Sequence, residues 1–270
     1  MKFKDQMHNV FELQNTPKRI VCLVPSLTEL LVDLGLKDSI IGVTKFCVHP
    51  KGLKKTKTVV GGIKTIKIDK IKALQPDIIL CNKEENTPEI VATCKKIAPV
   101  HISDIYTIED VFDLINQYGN IFSCEKKADE ISNQLQKSLA NFKTFIANKK
   151  PIKSVYFIWK NPWMVAANQT FINHLLELNK FDNLFKNKDR YPEIKLKEID
   201  KDATLFLLSS EPYPFKNKDI EELKASFKTS NICLVNGEFF SWYGTRLLKA
   251  FDYFKTFREE IDYMLNSLSK

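Results

Sequence analysis

Between Glu125 and Lys149 the apolar residues Ala128, Ile131, Leu135, Leu139, Phe142 and Ile146 recur at spacings of 3, 4, 4, 3 and 4. That rhythm draws one continuous stripe along a 3.6-residue helix. The opposite face is Lys, Asp, Glu, Asn and Gln. Neither Pro nor Gly interrupts the run, and Pro151 follows where a helix would have ended. At about 1.5 Å per residue, roughly 25 residues make a rod of about 37 Å. Such a rod is long for a helix inside one small domain, and strand-and-helix patterning lies on both sides of it. It could be a long surface helix of a single α/β domain. Read as a spine, it divides the chain into an N-terminal α/β lobe at 1–123, a connecting backbone helix at 124–150 and a C-terminal α/β lobe at 151–270.

The flanking blocks share a pattern. Short apolar runs at 19–24, 40–43, 77–81 and 100–102 read as buried strands, as do those at 154–159, 203–208 and 231–235. Helical periodicity falls between them. Ser26-Leu27-Thr28-Glu29 has the spacing of a capping box opening the first helix, with Gly35 at its end. Pro88 suits the first turn of a helix, and Thr107 with Asp110 suits a cap. Residues 1–16 read as an irregular arm or an initial strand. Strand–loop–helix at 19–34 resembles 153–178, and a short helix before a strand at 68–81 resembles 196–208. The pattern predicts two Rossmann-like α/β lobes with mostly parallel sheets, joined by the long helix, with a ligand cleft between the lobes. Ligands of open parallel sheets bind beyond the carboxyl ends of the strands. Here those ends are Pro25-Ser26, the 44–57 loop, 82–86, 161–168, 209–215 and 236–243.

Composition narrows the function. No apolar run approaches the ~20 residues of a membrane-spanning helix. The net charge of +8 reads as a lysine-rich surface spread along the chain among Asp and Glu. Without a basic block interleaved with aromatics, nucleic-acid binding is not expected. The six cysteines form no CxxC pair, and three lie in strand-like runs, as buried free thiols do. The first residues carry charge but no apolar core of a signal peptide, so a reduced compartment is the expectation and the cytoplasm is one possibility. A monomer is expected.

No GxGxxG, Walker loop, GxSxG or HExxH is present. Cys47 and His49, two apart in a loop, could give a soft metal two ligands; the alternative is an exposed loop histidine beside a proline. Aromatics say more. Trp159 and Trp163 flank Asn161-Pro162, and Phe239, Phe240, Trp242 and Tyr243 follow the last strand. Aromatics at strand ends either hold a large, partly apolar ligand or cap a core. Cleft lining suits Trp163 and Trp242 better than Trp159. Arg246 could meet an anion or pair with an acid.

These motifs together resemble the helical-backbone solute-binding proteins of ABC importers, the class III periplasmic binding proteins that carry cobalamin and ferric siderophores. The resemblance rests on Arg19-Ile20-Val21, Pro25-Ser26-Leu27-Thr28-Glu29-Leu30 and Gly35, then on Ile41-Gly42-Val43-Thr44 and Val60-Gly61-Gly62. It continues through Ile68-Asp69-Lys70-Ile71, Leu74-Gln75-Pro76-Asp77-Ile78-Ile79, Asn161-Pro162 and Phe240-Ser241-Trp242 before Arg246. It spans about residues 18–265. It implies a binding protein, not an enzyme, with no intrinsic cofactor and a cobalt- or iron-containing chelate as cargo: cobalamin or another corrinoid, haem, or a ferric siderophore. A leaderless cytoplasmic relative handling a corrinoid or metal cofactor is the alternative, since such receptors are normally exported or lipid-anchored. The cobalamin binders place aromatics where this chain has His49, Ile63 and Asn82, and a further aromatic near Trp163 or Met164. The implied ligand set is His49, Asn82, Trp163, Met164, Phe240, Trp242, Tyr243 and Arg246, with His49 as the metal-ligating candidate. Asp69 falls where the class docks on permease arginines, with Glu238 as its second-lobe counterpart.

Overall fold

The computed structural model describes residues 1–200 and 203–267. In chain order the elements are β1 Lys2–Lys4, β2 Val10–Glu12, β3 Ile20–Cys22, α1 Pro25–Asp33, β4 Ile40–Val43, α2 Leu53–Thr56, β5 Thr58–Val59 and α3 Ile68–Ala73. Next come β6 Ile78–Asn82, α4 Pro88–Lys95, β7 Val100–Ser103, α5 Ile108–Phe122 and α6 Glu125–Ile146. The second half holds β8 Ile152–Trp159, β9 Met164–Val165, α7 Phe171–Leu178, β10 Phe181–Asn183, β11 Leu205–Ser209, α8 Asn217–Ser226, β12 Asn231–Val235, α9 Gly237–Ser241 and α10 Arg246–Ser267. The chain forms two compact units. One comprises Met1–Gln136 with Trp242–Leu247, the other Lys137–Ser241 with the chain from Leu248 onward.

The stripe at 125–149 forms α6, ending at Ile146. All six residues of the stripe are buried. Ala128, Ile131 and Leu135 belong to the first unit, and Leu139, Phe142 and Ile146 to the second. In the first unit α5 approaches α6 closely at Gly119, where an added Cβ would lie 2.9 Å from that of Ala128. In the second, Phe142 stacks on Phe251 at 5.7 Å and meets Phe254 at 6.0 Å.

The first unit holds a parallel sheet in the order β5-β4-β3-β6-β7. Its central strand, Ile20–Cys22, is buried on both faces, so it reads as a continuous apolar run rather than an alternation. A separate antiparallel ribbon pairs β1 with β2, Phe3 opposite Phe11. The second unit holds a parallel sheet in the order β10-β8-β11-β12, with β9 antiparallel on β8. Leaving out the two-residue edge strand β5, both units have their four parallel strands in the order second, first, third, fourth. The resemblance between 19–34 and 153–178 therefore reflects a shared topology. In such a sheet the connections leave in opposite directions from the first and third strands, which opens a crevice at their carboxyl ends. That crevice lies between β3 and β6 in the first unit and between β8 and β11 in the second.

Three local expectations are corrected. The capping box at Ser26–Glu29 does not form: α1 starts at Pro25 after Val24, with no side-chain cap. A proline in the first turn brings the helix start forward, and Glu29 turns to another partner, Arg246. The 44–57 loop contains the one-turn helix α2, and Thr58–Val59 pairs with β4 as an edge strand. The helix expected before the 203–208 strand is a single 3-10 turn at Leu196–Glu198.

Candidate functional site

In the first unit the chain's own segment 242–247 packs on α1 and on the end of β7. Tyr243 is buried there, its hydroxyl 3.3 Å from Ser103 Oγ. Burial holds its phenol well above the usual tyrosine range, and the nearby Glu85 adds to this. Thr245 donates to Asp33 Oδ2 at 2.5 Å, and Arg246 Nε donates to Glu29 Oε2 at 2.8 Å. Arg246 begins α10, where the helix dipole disfavours a cation; the Glu29 carboxylate offsets that. These bonds place 242–247 in the first unit, although in sequence it lies within the expected C-terminal lobe.

The same segment carries Trp242, which is buried, 8% exposed, and not an open cleft wall. The Arg246 guanidinium lies 5.2 Å from its ring centroid, and the half-buried His49 meets it edge-on at 5.4 Å. Carboxylate, guanidinium, indole and imidazole thus form a ladder from buried Glu29 out to His49. Burial raises the Glu29 carboxyl above its ordinary range, and Arg246 and then His49 act against that rise. Arg246, open in sequence to an anion or an acid, is engaged by this acid.

Cys47 does not join His49. It is buried with its Sγ 3.2 Å from Thr28 Oγ1 and 3.4 Å from Thr44 Oγ1, and burial raises its thiol. Among the described residues no group of three or more His, Cys, Asp or Glu side chains is placed to hold a metal. Asn82 is also buried and fully committed. Its Nδ2 donates to Ser103 O and Oγ, and its Oδ1 accepts from the Glu84 and Glu85 amides. Its work is to shape the turn at 82–86. Half-buried Ile63 gives its carbonyl to Asn86 Nδ2 at 3.0 Å. Asp69 is exposed on α3.

In the second unit aromatics follow the carboxyl ends of β8 and β11 and pack on one another. Trp159, 39% exposed, meets Tyr213 edge-on at 5.5 Å. Tyr213 lies 4.7 Å from Phe215, which stacks on Trp163 at 6.0 Å and 7°. Trp163 also packs on Phe157 within the core, and Lys160 sits over its ring at 5.3 Å. Lys160 is held by Asp219 at 2.7 Å and Glu222 at 2.5 Å. Trp159 is thus the exposed tryptophan, Trp163 is half-buried with one face against the core, and Trp242 is buried. Phe240 is fully buried, packed on Tyr156 at 5.2 Å and Phe254 at 4.8 Å, and so belongs to the core rather than to a ligand surface. Met164 is half-buried in β9, opposite Trp159. Glu238 is half-buried in α9, with its amide on Asn236 Oδ1. Two residues with clear roles escaped the sequence reading. Glu29 was spent on a capping box, and Tyr213 was one residue among a loop. A tyrosine between two prolines just past a strand end was the available signal for the second.

Two repeated parallel-sheet units joined through a long helix, with aromatics at the strand ends, define a binding-protein architecture. The family described as periplasmic binding protein matches residues 20–232, and the chain belongs to it. Among its relatives is an uncharacterized ABC transporter substrate-binding lipoprotein, YvrC, of Bacillus subtilis. The two are 28% identical over 174 residues, which cover 62% of this chain and 55% of that protein. A vitamin B12-binding protein of Vibrio parahaemolyticus is 23% identical over 190 residues, 69% of each chain. In fold, the chain is similar to the periplasmic vitamin B12 binding protein BtuF of Vibrio cholerae. The TM-score is 0.77 at 19% identity, covering 90% of this chain and 97% of that one.

Proposed function

We propose that this protein is the solute-binding component of an ABC-type importer and that its cargo is a metal chelate: a corrinoid such as cobalamin, haem or a ferric siderophore. The observation that carries this reading is the aromatic surface at the strand ends of the second unit, the exposed Trp159 against Tyr213; in the first unit half-buried His49 stands edge-on over the buried Trp242. A macrocycle or chelate with broad apolar faces gains most from such rings, and a few polar groups suffice to orient it. Family membership supports the reading, as do relatives named for vitamin B12 binding and for ABC transport. The chain matches about half the length of the Bacillus relative, so the transport role stands here as inference. Binding and release account for the function, and no reaction is assigned. His49 is the residue to reach the metal, and Asp69 and Glu238 are the acids to meet a permease. His49, Ile63 and Asn82 stand where cobalamin binders carry aromatics, which favours a chelate other than cobalamin itself.

The test is to incubate the protein separately with cyanocobalamin, cobinamide, haem and ferric siderophores, and to read native mass and absorbance. One chelate is expected to form a complex and quench tryptophan emission. Trp159→Ala and Tyr213→Ala should each weaken it by about 1–3 kcal/mol, as truncating an aromatic anchor does. Failure of every chelate to bind, or wild-type affinity in both variants, would refute the reading.

A further inference from the structure

The net positive charge of this protein arises in one stretch. Residues 44–72 contain nine lysines and a single acid, Asp69, a net charge of +8. The rest of the chain keeps 32 of the 41 basic residues and 32 of the 33 acidic ones, so it is neutral. The description of the lysines as spread among acids therefore holds outside 44–72 and fails within it.

Within the first unit this stretch is largely exposed. It supplies α2, the edge strand β5 and α3. Eight of the nine lysines are exposed, and Lys57 is half-buried. The loop after β4 and the turn at 61–65 lie side by side: the Phe46 ring comes 3.4 Å from where a Cβ on Gly62 would stand. Lys45 Nζ sits 4.9 Å over that ring, and Lys54 Nζ donates to the Lys45 carbonyl at 2.7 Å. Lys64 Nζ donates to the Glu84 carbonyl. These three contacts are to backbone carbonyls and a ring rather than to carboxylates. Three large apolar side chains protrude from the same stretch: Phe46 at 45% exposed, Val48 at 41% and Ile68 at 37%.

We propose that residues 44–72 dock on an anionic phospholipid surface, with the lysines in the headgroup layer and Phe46, Val48 and Ile68 entering its apolar boundary. A headgroup layer accepts many ammonium groups without fixed geometry, and basic residues beside protruding apolar ones are the pattern that lies on such a surface. A protein partner fits less well, because lysine is depleted where protein interfaces are dry. A single-stranded nucleic acid needs aromatic platforms for its bases, and Phe46 is the stretch's one Phe, Trp or Tyr. The surface bears on where the protein sits and is independent of which chelate is bound; since His49 and Asp69 lie in the same stretch, membrane docking is a state alternative to their contacts with a chelate and a permease.

The experiment is co-sedimentation of the full chain with vesicles of phosphatidylcholine alone and of phosphatidylcholine mixed with phosphatidylglycerol. Wild type should bind the mixed vesicles, leave the neutral ones, and dissociate as salt is raised. At about 5-fold per lysine, Lys51→Gln, Lys55→Gln, Lys67→Gln and Lys70→Gln together should cut binding by on the order of 100-fold or more. Phe46→Ala should weaken binding yet leave its salt dependence in place. Unchanged urea midpoints would show that the variants fold. Three results would overturn the proposal: equal partition onto both vesicles, undiminished binding of the quadruple variant, and no binding to the mixed vesicles at low salt. Retention on a soluble polyanion without vesicle binding would also overturn it, and would make the partner an acidic macromolecule.

Discussion

Replacing Arg246 by Met tests whether the Glu29–Arg246 pair is what fixes the Trp242 segment in the first unit. The pair is 2.8 Å apart, with side chains only 5% and 11% exposed. At an effective dielectric of 20 the gross attraction at that distance is about 6 kcal/mol, much of it spent on desolvating both ions. Removing the cation alone strands the carboxylate, so the expected loss of stability is about 3–5 kcal/mol at pH 8. The pH dependence follows from Glu29. Its folded carboxyl is already raised above the ordinary carboxylate range, first by burial and against the pull of Arg246. A raised carboxyl means that the folded state holds the proton more tightly than the unfolded chain. Its contribution is then most favourable below the unfolded value and declines as pH rises through the folded one. Loss of Arg246 raises the folded value further, so the penalty should be largest at pH 8 and shrink toward pH 5. Urea unfolding in a Trp159→Phe, Trp163→Phe background leaves Trp242 as the reporter of its own unit. Adding Glu29→Gln to Arg246→Met should restore more than half of the loss. An equal penalty at both pH values, or no rescue by Glu29→Gln, would refute the reasoning.

Phe142→Ala removes a fully buried ring from the Phe251–Phe254 contact and should cost about 3–5 kcal/mol; a loss under about 1 kcal/mol, measured by urea unfolding, would show that this part of the α6 stripe collapses freely. Gly237→Ala places a Cβ 3.0 Å from the Glu211 amide and closer still to the Ser209 side chain. It should cost about 1–3 kcal/mol by overpacking and displace the 209–213 turn, which thermal unfolding together with Trp159 emission would detect. Burial opposes ionisation of Asp219, yet its bond to Lys160 outweighs this and lowers its carboxyl. The stabilisation is therefore present above the unfolded value and lost as pH falls through the folded one. Lys160→Met should cost about 3 kcal/mol near neutrality and flatten the acid limb of the stability profile; an acid limb like that of wild type would contradict it.

The parts of the fold that were legible in sequence are those governed by burial along one element. The α6 stripe could be read because each of its six residues meets the same requirement, an apolar contact on one face. The central strands could be read because a strand covered on both faces must be apolar throughout, as Ile20–Cys22 is. The short pieces could not. β5 is two residues long and is defined by the hydrogen bonds it makes to β4, which leave no mark on composition. The β1–β2 ribbon is likewise set by pairing, and a buried Asp5 accepts the Ile102 amide nearby. Pairing between distant segments is a property of the folded chain, and local propensity carries little of it.

The candidate site shows the same division. Position relative to a strand end was visible: Trp159, Trp163 and the 242–246 segment all lie where a parallel sheet exposes its ligand-binding edge. The direction a side chain takes from that position was not. Trp163 and Trp159 are four residues apart around one turn, yet Phe215 and Phe157 claim the first and leave the second partly bare. Phe240 and Trp242 are two residues apart on opposite sides of the boundary between the units, the first among Tyr156 and Phe254, the second beside His49. What separates the members of each pair is which aromatic or acid from a remote part of the chain arrives to pack on them. Glu29 makes the point most sharply. As a capping residue it would have served its own helix, one turn away. Its guanidinium partner lies 217 residues later, and that bond is one of those that tie 242–247 to the first unit. A strand-end tryptophan in this fold is therefore a ligand surface only where no such remote partner covers it, and Trp159 meets that condition more fully than Trp163.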